Sequence, residues 1–239
     1  MLKRTYTDLP QDFRKQITEM KQGKMDEKLA KSTHPTVFQE LISGSLPDSE
    51  KETLRLQDEA QLVVAAGVTT TGWALSTAAF HIIKNPTVFK NLRAELDAAL
   101  PDPKAELAWT ELERLSYLTG CVREAVRMSY AVTTRNPRLF NKEITYEGWV
   151  IPARTPVSMT NVDVNDDPNI FPSPREFRPE RWIDPPKTPD GSSLERYFVG
   201  FGKGSRSCLG IKYVPIFPSQ SRTVHDNPET YVARQPVFR

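Results

Sequence analysis

Apolar residues recur every three to four positions through the first half of this chain and in short, proline-cut runs through the second, with the change near residue 130. The stretch from Leu9 to Lys31 is charged and weakly amphipathic and predicts a helix, and HPTVFQELI starts another after Pro35. Pro47-Asp48-Ser49 followed by Glu52 has the form of a capping box and opens one long helix to Lys84. Its middle, QLVVAAGVTTTGWALSTAAF, is apolar on all sides, which predicts a largely buried central helix. Within it, Gly67 to Gly72 combine poor helix formers with hydroxyls able to bond back to the preceding turn. That run is either a local bend in a core helix or a groove where a threonine hydroxyl faces a ligand. Asn85-Pro86 ends the helix and caps the next, up to Pro101, because asparagine accepts amide bonds at an N-cap and proline suits the first helical position. Thr110 to Met128 predicts one or two further helical pieces.

Beyond residue 130, ITYEGWVIP and TPVSMTNV alternate and carry β-branched residues, which predicts a small, largely antiparallel sheet. Most of the 20 prolines follow residue 134, so the remaining backbone there is irregular. The expected class is mostly α (α+β) in one partial domain over 1–210: helical over 1–128, rich in β structure and loops over 129–200, with a Gly-rich loop over 201–210. Residues 211–239 are expected to form an irregular tail. No internal repeat or linker is evident.

Composition narrows the function. Lys plus Arg at 32 against Asp plus Glu at 30 gives a net charge of +2, so charge makes no case for nucleic acid. Two cysteines, Cys121 and Cys208, and three histidines are too few for a Cys-rich zinc site or a disulfide scaffold, which fits a reducing, intracellular setting. No run approaches 18 consecutive apolar residues, and MLKRTYTDLPQDFRK has neither a signal-peptide core nor an anchor, so a soluble chain is expected.

Candidate chemistry concentrates in FGKGSRSCLG, residues 201 to 210. A thiolate at Cys208 can hold an iron, Gly204 and Gly210 let backbone approach a flat macrocycle, and Arg206 can neutralise a carboxylate. Backbone N–H groups around Cys208 are expected to stabilise the sulfur anion. Glu124 and Arg127 leave one helix face, and the Pro179-Glu180-Arg181-Trp182 cassette supplies a second arginine. A buried Glu with two arginines is tolerable only if all three bond mutually. Arg135 and Arg138 are either surface charges or partners for ligand carboxylates. Gly200, Gly202 and Gly204 match neither a dinucleotide fingerprint nor a phosphate loop, and Ser205 and Ser207 lack a placed His and acid.

Four signatures thus stand in order: AGVTTT at 66–71, EAVR at 124–127, PERW at 179–182 and FGKGSRSCLG at 201–210. Together they resemble the cytochrome P450 family of haem-thiolate monooxygenases, from about Leu54 to Gly210 and most like its fungal members. The resemblance implies haem b bound through the Cys208 thiolate, whose electron donation favours O–O cleavage. It implies propionate contacts from Arg206 and Arg135, Phe201 near the sulfur, and a structural knot of Glu124, Arg127 and Arg181. Thr70 matches the hydroxyl that helps deliver protons, and Ala66, Gly67, Ala131, Val132 and Thr133 match the substrate pocket. Implied partners are a small apolar substrate, O2 and a reductase carrying electrons from NADPH. Full-length relatives are expected at the endoplasmic reticulum membrane.

Thr69 stands where the family often has an acid, so proton delivery must use water, substrate or another hydroxyl. A haem-thiolate isomerase or peroxide-using enzyme therefore stays open as an alternative, and beside it a non-catalytic chain without haem, for want of the family's final helix. After Gly210 the family continues into a long apolar helix, but Pro215 and Pro218 limit a helix here to roughly two turns. A retained intron or a shifted reading frame would leave such a tail. Mature mRNA read across codon 210 is then expected to lack it, and a transcript carrying the same codons rules that origin out.

Overall fold

Thr36 and Gln39 start a helix by a reciprocal cap in which each side chain accepts from the other's backbone N–H. The computed structural model describes residues 9–24, 36–102, 108–130, 132–183 and 185–212. Ala131, assigned above to the substrate pocket, and residues 213–239, nearly all of the expected tail, lie outside them. The chain divides into two compact units, Met1–Thr71 and Gly72–Arg239.

In the first unit, α1 (Leu9–Lys21) and α2 (Val37–Ser43) meet the start of α3 (Thr53–Lys84). Ile17, Leu56 and Ala60 form the buried centre, with Phe13, Met20, Phe38, Leu41 and Ile42 packed against it. Gly23, at φ +72°, takes the left-handed conformation just past the last turn of α1, which ends well before Lys31. Lys21 Nζ donates to the Lys51 carbonyl at 2.7 Å, and Lys51 Nζ to the Gly44 carbonyl at 2.6 Å. The long helix begins later than its capping pattern predicts. Residues Asp48–Lys51 form a separate 3-10 turn, because Glu52 at ψ 142° leaves the helical path.

From Thr53 to Lys84, α3 is unbroken and runs through Gly67 to Gly72 as continuous helix. The hydroxyls of Thr70, Ser76 and Thr77 each donate to the carbonyl four residues back, so the ladder absorbs them. The expectation of a largely buried helix is corrected: only Leu56 and Ala60 are buried, while Val68 (62%), Leu75 (60%) and Ile83 (74%) stand exposed. Its sequence is apolar nearly all round, but the described residues cover only narrow stripes of it. By length and composition alone α3 is also long and apolar enough to cross a bilayer, a test that core helices of soluble proteins pass as well.

In the second unit Asn85 Oδ1 accepts from the amides of Thr87 and Val88, starting α4 (Pro86–Ala99). After the short α5 (Trp109–Leu112) comes α6 (Ser116–Ser129), the helix on which the unit is organised. Leu115, at the N-cap of α6, has an apolar side chain that makes no capping hydrogen bond. Glu95, on α4, accepts instead from the amides of Tyr117 and Leu118, both at 2.8 Å, placing a carboxylate at the positive helix end. Val88, Tyr117, Cys121, Ala125 and Phe177 form one core, and Phe171, Trp182 and Leu194 another.

The sheet is smaller than the alternation predicts. β1 (Ile144–Tyr146) pairs antiparallel with β2 (Trp149–Ile151) in the register Tyr146 to Trp149. Glu147 (φ 47°) and Gly148 (φ 83°) form the two-residue turn, both left-handed as the strand twist requires. TPVSMTNV does not become a strand. Val157 makes a single bridge to Arg138, and Thr160 then caps α7 (Asn161–Asn165) by accepting from Val162 N–H, so a helix begins where the alternation read as β.

Gly120 permits a close backbone approach in the second unit. A Cβ there would lie 2.7 Å from the carbonyl oxygen of Pro179, where α6 crosses the 3-10 turn Pro179–Trp182. Gly120→Ala is therefore expected to lose about 1–3 kcal/mol by overpacking, despite alanine's better helix propensity. A urea midpoint equal to or above wild type would show that the crossing can relax.

Candidate functional site

On α6, Glu124 and Arg127 lie one turn apart and leave one face, which points at Pro179–Trp182 and the loop before it. Glu124 is fully buried, and its carboxylate accepts five hydrogen bonds. Arg127 Nη2 (2.8 Å), Arg181 Nε (2.9 Å) and Arg178 N–H (3.2 Å) reach Oε1, while Arg127 Nε (3.0 Å) and Trp182 Nε1 (2.8 Å) reach Oε2. Glu124, Arg127 and Arg181 are thus brought together.

The arginines' remaining donors are also placed. Arg127 donates to the carbonyls of Asn165 and Pro174 at 2.7 Å each, and its guanidinium lies 5.0 Å over the Phe171 ring. Arg181 donates to the carbonyls of Pro172, Ser173 and Glu176. Burial pulls the Arg181 pKa below its ordinary value, and the Glu124 carboxylate opposes that pull. Asn165 answers with its own side chain, Nδ2 donating to the Arg127 carbonyl at 3.0 Å. One carboxylate and two guanidiniums therefore fix the stretch from Asn165 to Trp182 to α6 at several points.

At the C-terminus of α6, Tyr130 takes the left-handed conformation (φ 48°), and its hydroxyl bonds Asp166. Burial first, and then Asp166, push the phenol up to about 12. The turn leads into Val132, Thr133 and Arg135, all exposed, and the Thr133 carbonyl accepts from Thr160 Oγ1.

The Gly-rich loop follows the 3-10 turn Leu194–Tyr197. Gly202 (φ 68°) and Gly204 (φ 82°) both occupy the left-handed region that favours glycine. Cys208 N–H donates to the Phe201 carbonyl at 2.8 Å and closes the loop on itself. The Cys208 side chain is exposed, and a Cβ on Gly210 would sit 3.5 Å from its sulfur, so glycine leaves that flank open. The N–H groups of Ser207, Cys208 and Ile211 donate to the carbonyls of Gly204, Phe201 and Cys208. Downstream, a 3-10 turn, Leu209–Lys212, ends the described residues.

Arg206 and Arg135 are exposed and have no ion pair among the described residues. Thr70, Ala66 and Gly67 stand together on α3 in the first unit, Thr70 Oγ1 donating to the Ala66 carbonyl at 2.7 Å. Cys121, the other thiol, is buried on α6, and desolvation pushes it up to about 12, which keeps it protonated and inert.

Sequence reasoning missed Trp182 as a fourth donor to Glu124, and Asn165 as a partner of Arg127. A tryptophan directly after Arg181 was a usable signal for the first. Nothing local marks the second, because its role depends on how the 160–182 segment folds back.

Comparison with known proteins places these features in a family. The Cytochrome P450 family profile matches residues 2–212. Cytochrome P450 monooxygenase sdnE of Sordaria araneosa is 50% identical over 181 residues, 75% of this chain and 35% of its own length. N-acetyltryptophan 6-hydroxylase ivoC of Emericella nidulans is 45% identical over 76% of this chain and 36% of its own length. Tryptophan 6-hydroxylase fscE of Fusarium equiseti is 40% identical over 84% of this chain and 41% of its own length. The chain thus spans little more than a third of the length of the curated relatives it matches.

Removing the shared carboxylate tests the knot. Glu124→Ala leaves Arg127 and Arg181 buried without their anion, and about 3–5 kcal/mol of stability is expected to go with it. Urea denaturation followed by circular dichroism reads the loss, and a change under about 1 kcal/mol would mean that water replaces the carboxylate.

Proposed function

The chain belongs to the cytochrome P450 family, and on that premise we propose that it carries the haem-seating elements of a monooxygenase that hydroxylates or epoxidises a small apolar organic molecule. The observation that carries the reading is Cys208, an exposed sulfur on a Gly-rich loop closed by its own amide, two residues after the exposed Arg206. Among the described residues no cluster of three or more His, Cys, Asp or Glu side chains could hold a bare metal ion. A porphyrin iron needs only one protein ligand, and the Cys208 sulfur would fit that role. Haem b on a thiolate supplies the oxygen-activating chemistry, with electrons from NADPH through a reductase and O2 as co-substrate.

In this reading Cys208 provides the anionic sulfur, and Gly210 keeps its flank clear for a flat ring. Arg206 and Arg135, without an ion pair among the described residues, would offer cationic groups to two propionates. Phe201 holds the ligand loop through its carbonyl and sets an apolar ring beside it. Thr70 holds a proton at Oγ1, now directed to the Ala66 carbonyl, and its lone pairs accept from water, the route Thr69 leaves open in place of an acid. Ala66 and Gly67 on α3, and separately Val132 and Thr133, are small, largely apolar residues that the family resemblance gives to substrate, which favours an apolar one.

A second reading, a chain that binds no haem, is favoured by the long apolar face that α3 leaves exposed. One experiment separates the two. With haem added to the full chain, the reduced protein in carbon monoxide is expected to give a thiolate-type Soret band that Cys208→Ser abolishes. Haem should also protect Cys208 from alkylation, which Cys121 does not confuse because it is buried. Absence of the band from wild type, with alkylation unslowed, supports the second reading instead.

A further inference from the structure

Arg123 is a buried charged group that none of the roles above uses. It precedes Glu124 on α6 and therefore leaves a different side of the helix. It is 7% exposed, its Nη1 pairs with Glu195 Oε1, and its guanidinium lies 5.8 Å from the ring centroids of both Trp182 and Phe198. Among the described residues its Nε is buried without a hydrogen-bond partner. An unpartnered buried N–H weakens the fold, and an apolar side chain of similar length would fill the same space without it. What arginine does here that such a side chain cannot is tie Glu195 to α6 while stacking on two rings.

Glu195 and Phe198 in turn lead to the sulfur. The Glu195 carbonyl accepts from Lys203 Nζ at 3.2 Å, inside the Gly-rich loop. The Phe198 ring meets Trp182 edge-on at 5.4 Å and Phe201 at 6.1 Å, and the Phe201 carbonyl accepts the Cys208 amide. We infer that Arg123 is a positioning residue for Cys208, fixing through Glu195 and Phe198 the carbonyl from which the Cys208 amide hangs, and with it the direction of the sulfur. Its functional meaning rests on Cys208 being an iron ligand, whereas the mechanical claim stands without haem.

Hydrogen–deuterium exchange on the full chain tests it with Arg123→Met and Glu195→Gln. Methionine keeps the stem's packing and removes the unpartnered N–H, and Glu195, 31% exposed at its side chain, can take up water, so both variants remain folded. Amides of residues 198–208 are expected to exchange about tenfold faster in both variants, with α4 at its wild-type rate. Arg123→Lys, which keeps a cation for Glu195, is expected to recover most of the protection. No acceleration, equal acceleration in α4, or no recovery with lysine overturns the proposal. With haem bound, both variants are expected to convert part of the thiolate-type carbon monoxide signal to the thiol type, and an unchanged thiolate fraction also overturns it. A wild-type chain without that signal refutes the haem reading and leaves the exchange result to decide the positioning role.

Discussion

The second unit depends on one buried anion. Glu124 has no solvent to share its charge, so the fold is viable only with donors arrayed around both carboxylate oxygens. Arg127 provides two of them from one turn along α6, and the others come from Arg178, Arg181 and Trp182, more than 50 residues on. Because each arginine then spends its other N–H groups on carbonyls between 165 and 176, an irregular, proline-rich segment acquires a defined path without secondary structure of its own.

The residue beside it does the same for the next stretch of chain. Through Trp182, which donates to Glu124 and packs on Phe198, the two anchors join into one assembly running from α6 to the Gly-rich loop. The helix is thus a spine on which neighbouring positions serve different loops. Glu95 fixes its N-terminus from α4, and Gly120 allows Pro179 to come close enough for the carboxylate to be reached.

Much of this was legible wherever the cause is local. The Asn85-Pro86 junction, the alternation of ITYEGWVIP and the charged pairs spaced for one helix face all encode their geometry within a few residues. The failures share a physical cause as well. TPVSMTNV alternates like a strand, but Thr160 finds the Val162 amide and starts a helical turn instead. The apolar middle of α3 was read as buried because its composition demands partners, and composition says nothing of which partners the described residues provide. Arg123 was invisible for the opposite reason: its partners, Glu195 and Phe198, lie over 70 residues away and carry no spacing that links them to it.

The separation between Glu124 and the residues that complete its coordination has a consequence for biogenesis. Arg181 follows Glu124 by 57 residues, which at about 5–20 residues per second takes a ribosome roughly 3–11 s to add. Through that interval the nascent α6 carries a carboxylate and a guanidinium on a face that can be neither buried nor left beside apolar neighbours without cost, so docking must await translation of the PERW turn. The chain is in that window a natural client for chaperones, and codon usage between the two sites becomes a determinant of yield.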